Sequence, residues 1–302
     1  MVMTKKLKIY SLEEFANLNL PPKEYMVDPI IPCRGLVEIY SKTGVGKTTF
    51  ALTLGIAVAL GKSFLKWNVP KAKKVLYVDG EMSPQDMQER AQAAAQFFGV
   101  DVSEVDNFKI INRDVNDGFL PDIGELSGQN EFDEASQNAD LIILDNLSTL
   151  RFSGKENEAD SWSVIQRWLL TMRGRGKSVI ILHHAGKDGS SRGTSRRHDA
   201  LNTVIKLQRP DDYLPSEGAV FELHYEKNRG FFGVAAEPIE LSHTIIDGIS
   251  HWEYSAITNE TMEEVVSLIN RGLRQTEIAS KMGISQPKVS KLLKSAKEKG
   301  LI

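Results

Sequence analysis

Lys47 and Thr48 close the run Ser41-Lys42-Thr43-Gly44-Val45-Gly46-Lys47-Thr48-Thr49, a spacing whose natural chemistry is phosphate binding. Gly44 and Gly46 let backbone N–H groups converge on phosphate oxygens, with Thr43, Val45 and Thr49 completing the cradle. Lys47 reaches the β and γ phosphates, and Thr48 offers a hydroxyl to Mg²⁺. Ser41 stands where the common pattern has Gly. The flanks supply the required context: the apolar run Leu36–Tyr40 precedes the loop and an apolar helix from Phe50 follows it. A glycine-rich turn with an exposed lysine would explain neither flank.

Hydrolysis also needs a metal-holding acid and a group that orients water. Asp145 closes the run Leu141–Leu144, and an acid at the end of a buried strand beside a phosphate loop can hold Mg²⁺. Glu81 lies two residues past Asp79 at the end of Val75–Val78, placed to take a proton from attacking water. Each acid has a plainer alternative as the cap of the next helix, which Ser83-Pro84 makes plausible for Glu81. A third group is basic. Lys187, Arg192, Arg196 and Arg197, interleaved with Gly186, Gly189 and Gly193, form a segment suited to gripping a phosphate backbone, or else a surface loop.

The elements that must position these groups read as an α/β chain. Leu36–Tyr40, Val75–Asp79, Phe108–Ile111, Asp140–Leu144 and Ser178–His183 are short Val/Ile-rich runs expected to be buried strands. Helical segments at Pro84–Phe98 and Asp160–Arg173 separate them, which predicts a mostly parallel sheet with crossover helices. From Asn202 the texture turns to strand and turn, with Asn202–Gln208, Ala219–Glu226 and Phe232–Ile239 as an antiparallel extension. Residues 251–258 lack apolar periodicity and read as a linker. The expected organisation is an N-terminal arm at 1–30, an ATPase domain at 31–250, that linker, and a small all-α domain at 259–302.

The last segment resembles a helix-turn-helix. Met262, Val265, Val266 and Ile269 line a first helix. A second, Gln275–Met282, stops at Gly283, and a third follows Ser285 as N-cap, with Ala279 at the helix crossing. Ser285, Gln286, Lys288, Ser290 and Lys291 would project from the third helix toward bases and phosphates of duplex DNA. Residues 271–302 carry eight Lys/Arg against two Glu, a net +6, which leaves −9 on residues 1–270 of a chain whose total is −3.

The order of motifs resembles the RecA-like ATPase core: a phosphate loop after the first core strand, Asp-x-Glu ending the next, and an apolar run ending in Asp. Within it, His183-His184 followed by Ser191-Arg-Gly-Thr-Ser195 is similar to the RepA-like replicative helicases of plasmids and to related DnaB-type ATPases. The resemblance implies ATP and Mg²⁺ as ligands, with His184 sensing the γ-phosphate ahead of a DNA-contacting loop. Glu226-Lys-Asn-Arg-Gly230 resembles the Lys-x-Arg element that such proteins insert across a subunit interface, so Lys227 and Arg229 would act on a neighbour's nucleotide. Asn202 stands where RepA-like proteins have their own arginine. The implied assembly is a homohexamer with single-stranded DNA in its channel, working as a helicase; an ATP-switched DNA-binding regulator is the alternative.

Composition sets the bounds. Of 302 residues, 41% are hydrophobic and 25% charged, within the range of globular chains and outside that of disordered or disulfide-dense ones. Cys33 is the single cysteine, the N-terminus lacks the apolar stretch of a secretion signal, and no run approaches a membrane span. A cytoplasmic protein is expected.

Overall fold

The computed structural model describes residues 7–151, 159–186, 189, 195–210, 213–214, 218–257, 259–298 and 300–302. In chain order the elements are α1 (Leu12–Ala16), β1 (Tyr25–Val27), β2 (Ile31–Pro32), β3 (Leu36–Ser41), α2 (Lys47–Leu60), β4 (Val75–Asp79), α3 (Pro84–Phe97), β5 (Phe108–Asn112), α4 (Leu126–Ala135), β6 (Leu141–Asp145), α5 (Ala159–Gly174), β7 (Ser178–His184), β8 (Thr203–Gln208), β9 (Ala219–Asn228), β10 (Ile239–Ile246), β11 (Ile249–Ala256), α6 (Asn259–Asn270), α7 (Gln275–Met282) and α8 (Gln286–Glu298). Among the described residues no helix is long and apolar enough to cross a membrane.

One sheet organises the molecule, in the order β11-β10-β9-β8-β3-β7-β6-β4-β5. The six strands from β8 to β5 run parallel, and β9, β10 and β11 extend the sheet antiparallel. This is the α/β architecture that the RecA-like resemblance implies. β3, β4 and β6 are buried along their whole length, as strands covered on both faces must be. Their C-terminal ends lie side by side, with Ser41 paired to His184 and Asp79 to Asp145, and this brings the phosphate loop and the two acidic strand ends to one edge.

Each face of the sheet has its own core. α2 and α3 cover one face through Phe50, Leu54, Val58 and Met87, together with the aromatic group Phe64, Trp67, Phe221 and Trp252. α4 and α5 cover the other through Phe132, Trp162, Ile165, Trp168 and Met172. The C-terminal helices pack a separate small core of Val265, Leu268, Ile278, Ala279, Val289 and Leu293. Gly283 takes the left-handed turn after α7, and Ser285 Oγ accepts the Lys288 amide at the start of α8.

Two expectations need correction. The stretch 251–258 is not a linker along most of its length: β11 occupies Ile249–Ala256 and pairs with β10 from Ile246↔Ile249 to Ile239↔Ala256. As an edge strand it buries chiefly Ser250 and Trp252, so its sequence lacks a continuous apolar stripe. The expected strand Phe232–Ile239 is instead a short helical turn at Gly233–Ala236 followed by Pro238, with β10 starting at Ile239. Phe232 and Val234 supplied the apolar letters there, yet they are 87% and 77% exposed.

Candidate functional site

The loop between β3 and α2 can bend as it does because of its glycines. Gly44 and Gly46 have φ of +78° and +130°, in the left-handed region that residues with a Cβ rarely adopt. A Cβ on Gly46 would also lie 2.9 Å from the Phe221 ring. The loop delivers Lys47 as the first residue of α2, whose N-terminus carries unpaired amides and positive potential.

A cleft of about 760 Å³ opens over this loop. Residues 43–49 form its floor, Glu81, Met82, Arg90 and His184 one side, and Gly218, Ala219 and His243–Ile245 the far end. Lys47 is buried, and its Nζ lies 3.1 Å from Ser41 Oγ and 3.4 Å from His184 Nδ1. Burial pushes the ammonium's pKa down, while Asp145 and Glu81 pull it back up. An anionic ligand would restore the preference for the charged form.

His184, the last residue of β7, is the hub. Its Nε2 lies 3.2 Å from Glu81 Oε1 and 2.9 Å from Asn146 Nδ2, and its Nδ1 lies 3.4 Å from both Lys47 Nζ and Thr43 Oγ1. The contact with His184 is the main cause holding the Glu81 carboxyl below its usual range, against partial burial; Asn146 and Lys47 act in the same direction. Glu81 is therefore an ionised acceptor facing the cleft. Its placement is built by Asp79, whose buried carboxylate accepts the Glu81 and Met82 amides at 3.1 Å each and the Asn112 side chain. Gly80 between the two acids has no room for a side chain, because a Cβ there would collide with Thr149.

Asp145 is 2% exposed. Burial raises its pKa to about 6, opposed by hydrogen bonds from Tyr77 and Thr48, with Asp79 and Glu81 adding like charge. Tyr77 Oη donates to Asp145 Oδ2 at 2.7 Å. The contact between Thr48 and Asp145 tests whether the site suits Mg²⁺. One hydroxyl and one carboxylate face each other, and the described residues hold no cluster of three His, Cys, Asp or Glu. That sparse, all-oxygen set fits Mg²⁺, which keeps waters and phosphate oxygens as its other ligands.

The loop residues 43–49, Glu81, Asp145 and His184 thus meet in one place. Lys227 and Arg229 do not. Lys227 Nζ donates to the His198 and Asp199 carbonyls, and Arg229 Nη2 to the Asp199 carbonyl at 3.0 Å, outside the cleft lining. Lys187 and Arg192 lie outside the described residues; Arg196 and Arg197 sit in a helical turn at Ser195–Ala200. On α8, Gln286 donates to Gln275, Ser290 is exposed, and Lys288 pairs with Glu240 at 3.1 Å, while Lys291 continues the helix.

Sequence reasoning passed over Asn146, Tyr77 and Arg90. Asn146 directly follows Asp145, so its place at a strand end was a usable signal. Arg90, whose Nη1 donates to Thr49 Oγ1 at 3.2 Å, sits on α3 with no local signal at all.

A sequence model described as AAA domain matches residues 4–190, more than half of the chain, and spans the phosphate loop, Glu81, Asp145 and His184. The chain belongs to the AAA domain family. Its P-loop ATPase core is therefore established. Among solved structures, a crystal structure of the RadB recombinase is similar to this AAA domain protein at 19% sequence identity and a TM-score of 0.49, covering 70% of this chain and 88% of that one.

Proposed function

We propose that the protein is a Mg²⁺-dependent ATPase acting on DNA, a homohexameric helicase or translocase of plasmid or phage replication that carries a helix-turn-helix at its C-terminus. The observation that carries this reading is the contact chain Glu81–His184–Lys47. It joins the group that would activate water to the group that would hold the γ-phosphate, through the last residue of the strand leading into the basic segment 185–200. A change at the phosphate reaches that segment through one side chain.

The chemistry assigns a role to each group. Glu81 takes the proton of a water whose oxygen attacks the γ-phosphorus, and the bond to the bridging oxygen breaks to release ADP and phosphate. Lys47 balances charge on the β and γ oxygens. Thr48 and Asp145 would hold Mg²⁺, which when bound supplies further neutralisation of those oxygens, and Tyr77 fixes the Asp145 carboxyl. Arg90, Thr244 and Ile245 flank the nucleoside end, where His243 stays neutral because burial lowers its pKa to about 4. Lys227 and Arg229, outside their own cleft, are read as the groups that complete a neighbour's site, which requires a ring. Lys187, Arg192, Arg196 and Arg197 contact single-stranded DNA in the channel, and Ser285, Gln286, Lys288, Ser290 and Lys291 contact duplex DNA.

The deciding experiment measures ATP hydrolysis with no DNA, single-stranded DNA and duplex DNA at matched low salt, with Lys47→Ala as control. Strong stimulation by single strands supports the motor. A second reading, an ATP-switched DNA-binding regulator, draws support from the Lys288–Glu240 pair, which ties the third C-terminal helix to the ATPase sheet. Little turnover under any condition, with duplex binding that depends on nucleotide, would decide for it.

A further inference from the structure

Beside the phosphate loop, toward β8, lies a second cavity of about 450 Å³. It shares Thr43 and Val45 with the nucleotide cleft, and three cationic side chains from separate places line it: Lys42 of the loop, Lys206 within β8 and Arg209 just past its end. Among the described residues no acidic side chain lines it and neither lysine has an ion pair. The neighbouring acids on β9 already have partners: Glu222 accepts from the lining residue Gln208 and contacts His224, and Glu226 accepts from the Tyr40 hydroxyl.

Arg209 sharpens the picture. Its Nη2 donates to the Gly44 carbonyl at 2.7 Å and its guanidinium lies 3.7 Å from the Tyr213 ring centroid, while Nη1 is buried with no hydrogen-bond partner among the described residues. A buried guanidinium N–H without an acceptor is costly, and an oxyanion entering the cavity would relieve that cost. The cavity also touches the basic segment after β7. Ala185 and Gly189 line it, and a Cβ built on Gly189 would lie 3.9 Å from Lys42 Cε.

We propose that this cavity is a phosphate-binding site and that its ligand is one backbone phosphate of the single strand gripped by the segment 185–200. The inference rests on reading that segment as a DNA-contacting loop. The three cations surround the oxyanion, and Arg209 transmits its presence to the Gly44 carbonyl of the phosphate loop. DNA would thereby gain a contact with the nucleotide loop that does not pass through His184.

The test uses the full chain with a non-hydrolysable ATP analogue and a fluorescein-labelled oligothymidylate, followed by anisotropy over a series of salt concentrations. Lys206→Ala should weaken binding about three- to tenfold and flatten the log–log salt slope by about 0.7, the value for one single-strand phosphate. Lys206→Arg should restore both, and basal ATPase activity and melting temperature should be unchanged in both variants. Unchanged affinity and slope in Lys206→Ala, alongside weakened binding by the Arg196→Ala/Arg197→Ala double variant, would overturn this site while leaving the loop reading intact. No binding by the unmodified protein would overturn the loop reading and the site with it. Inorganic phosphate at matched ionic strength separates the ligand sources. Competition that Lys206→Ala abolishes, with DNA affinity unaltered, would assign the cavity to free phosphate and overturn the DNA assignment.

Discussion

Glu81 and Asp145 sit at the ends of two adjacent strands, yet their environments drive their carboxyl groups in opposite directions. Glu81 faces the cleft and His184 keeps it ionised; Asp145 is buried and its pKa rises to about 6. Glu81→Gln keeps the shape and removes the proton acceptor, so kcat should fall about 10²- to 10⁴-fold while nucleotide affinity, read by a fluorescent ATP analogue, stays within about twofold. For Asp145 the sign of the pH dependence follows from the raised value. The folded state holds a proton that the unfolded chain releases near pH 3.8, so this group's stabilising contribution is complete below that pH and is lost as pH rises through about 6. Asp145→Asn removes the dependence. Without metal, the variant should therefore be more stable than the parent at pH 7.5, by up to about 3 kcal/mol in urea unfolding, and the difference should vanish toward pH 4. The same substitution should abolish Mg²⁺-dependent turnover. A variant less stable than the parent at pH 7.5 would contradict the assigned ionisation.

At the scale of elements, legibility followed burial. The strands carrying the site are short, rich in Val, Ile and Leu and buried almost throughout, so β3, β4, β6 and β7 were readable to within a residue or two from their composition. The antiparallel extension was harder because its strands are half-exposed, and period and composition no longer agree there. β11 contributes its one large buried side chain, Trp252, to the aromatic group of Phe50, Phe64 and Phe221 beneath the cleft over the phosphate loop. Nothing local in His251-Trp252-Glu253 announces that role, since the partners lie up to about 200 positions away in the sequence. The same logic explains Arg90 and Tyr77, whose importance comes from which strand end they face. Trp252→Ala should cost about 3 to 5 kcal/mol in chemical denaturation. Trp252→Phe should cost far less, because the ring contacts persist and the indole N–H, which has no partner among the described residues, is removed. For the same reason a truncation that tests the C-terminal helices must end after Ala256 and not within β11. Such a protein should keep its ATPase activity and lose affinity for duplex DNA.

At the scale of the whole molecule, the proposed ring turns on whether the residues of one chain complete the proposed catalytic site. Its own cleft brings together Lys47, Thr48, Glu81 and His184, with Asp145 behind Thr48, and among the described residues Arg90, which contacts Thr49, is the arginine that lines it. Lys227 and Arg229 instead hold the carbonyls of His198 and Asp199 at the exit of the basic segment. A ring would resolve this by supplying the pair from the next subunit, and mixing experiments read that directly. Arg229→Ala should reduce turnover about 10³-fold or more while ATP binding is retained, a loss in the range measured for trans-acting arginines. Glu81→Gln should also be nearly inactive alone. Combined in equal amounts and allowed to reassemble, the two variants should regain activity, because some interfaces then pair an intact Glu81 with an intact Arg229. If the mixture stays as inactive as its components while size-exclusion chromatography shows mixed rings, Arg229 acts within its own subunit and the need for a neighbour falls away.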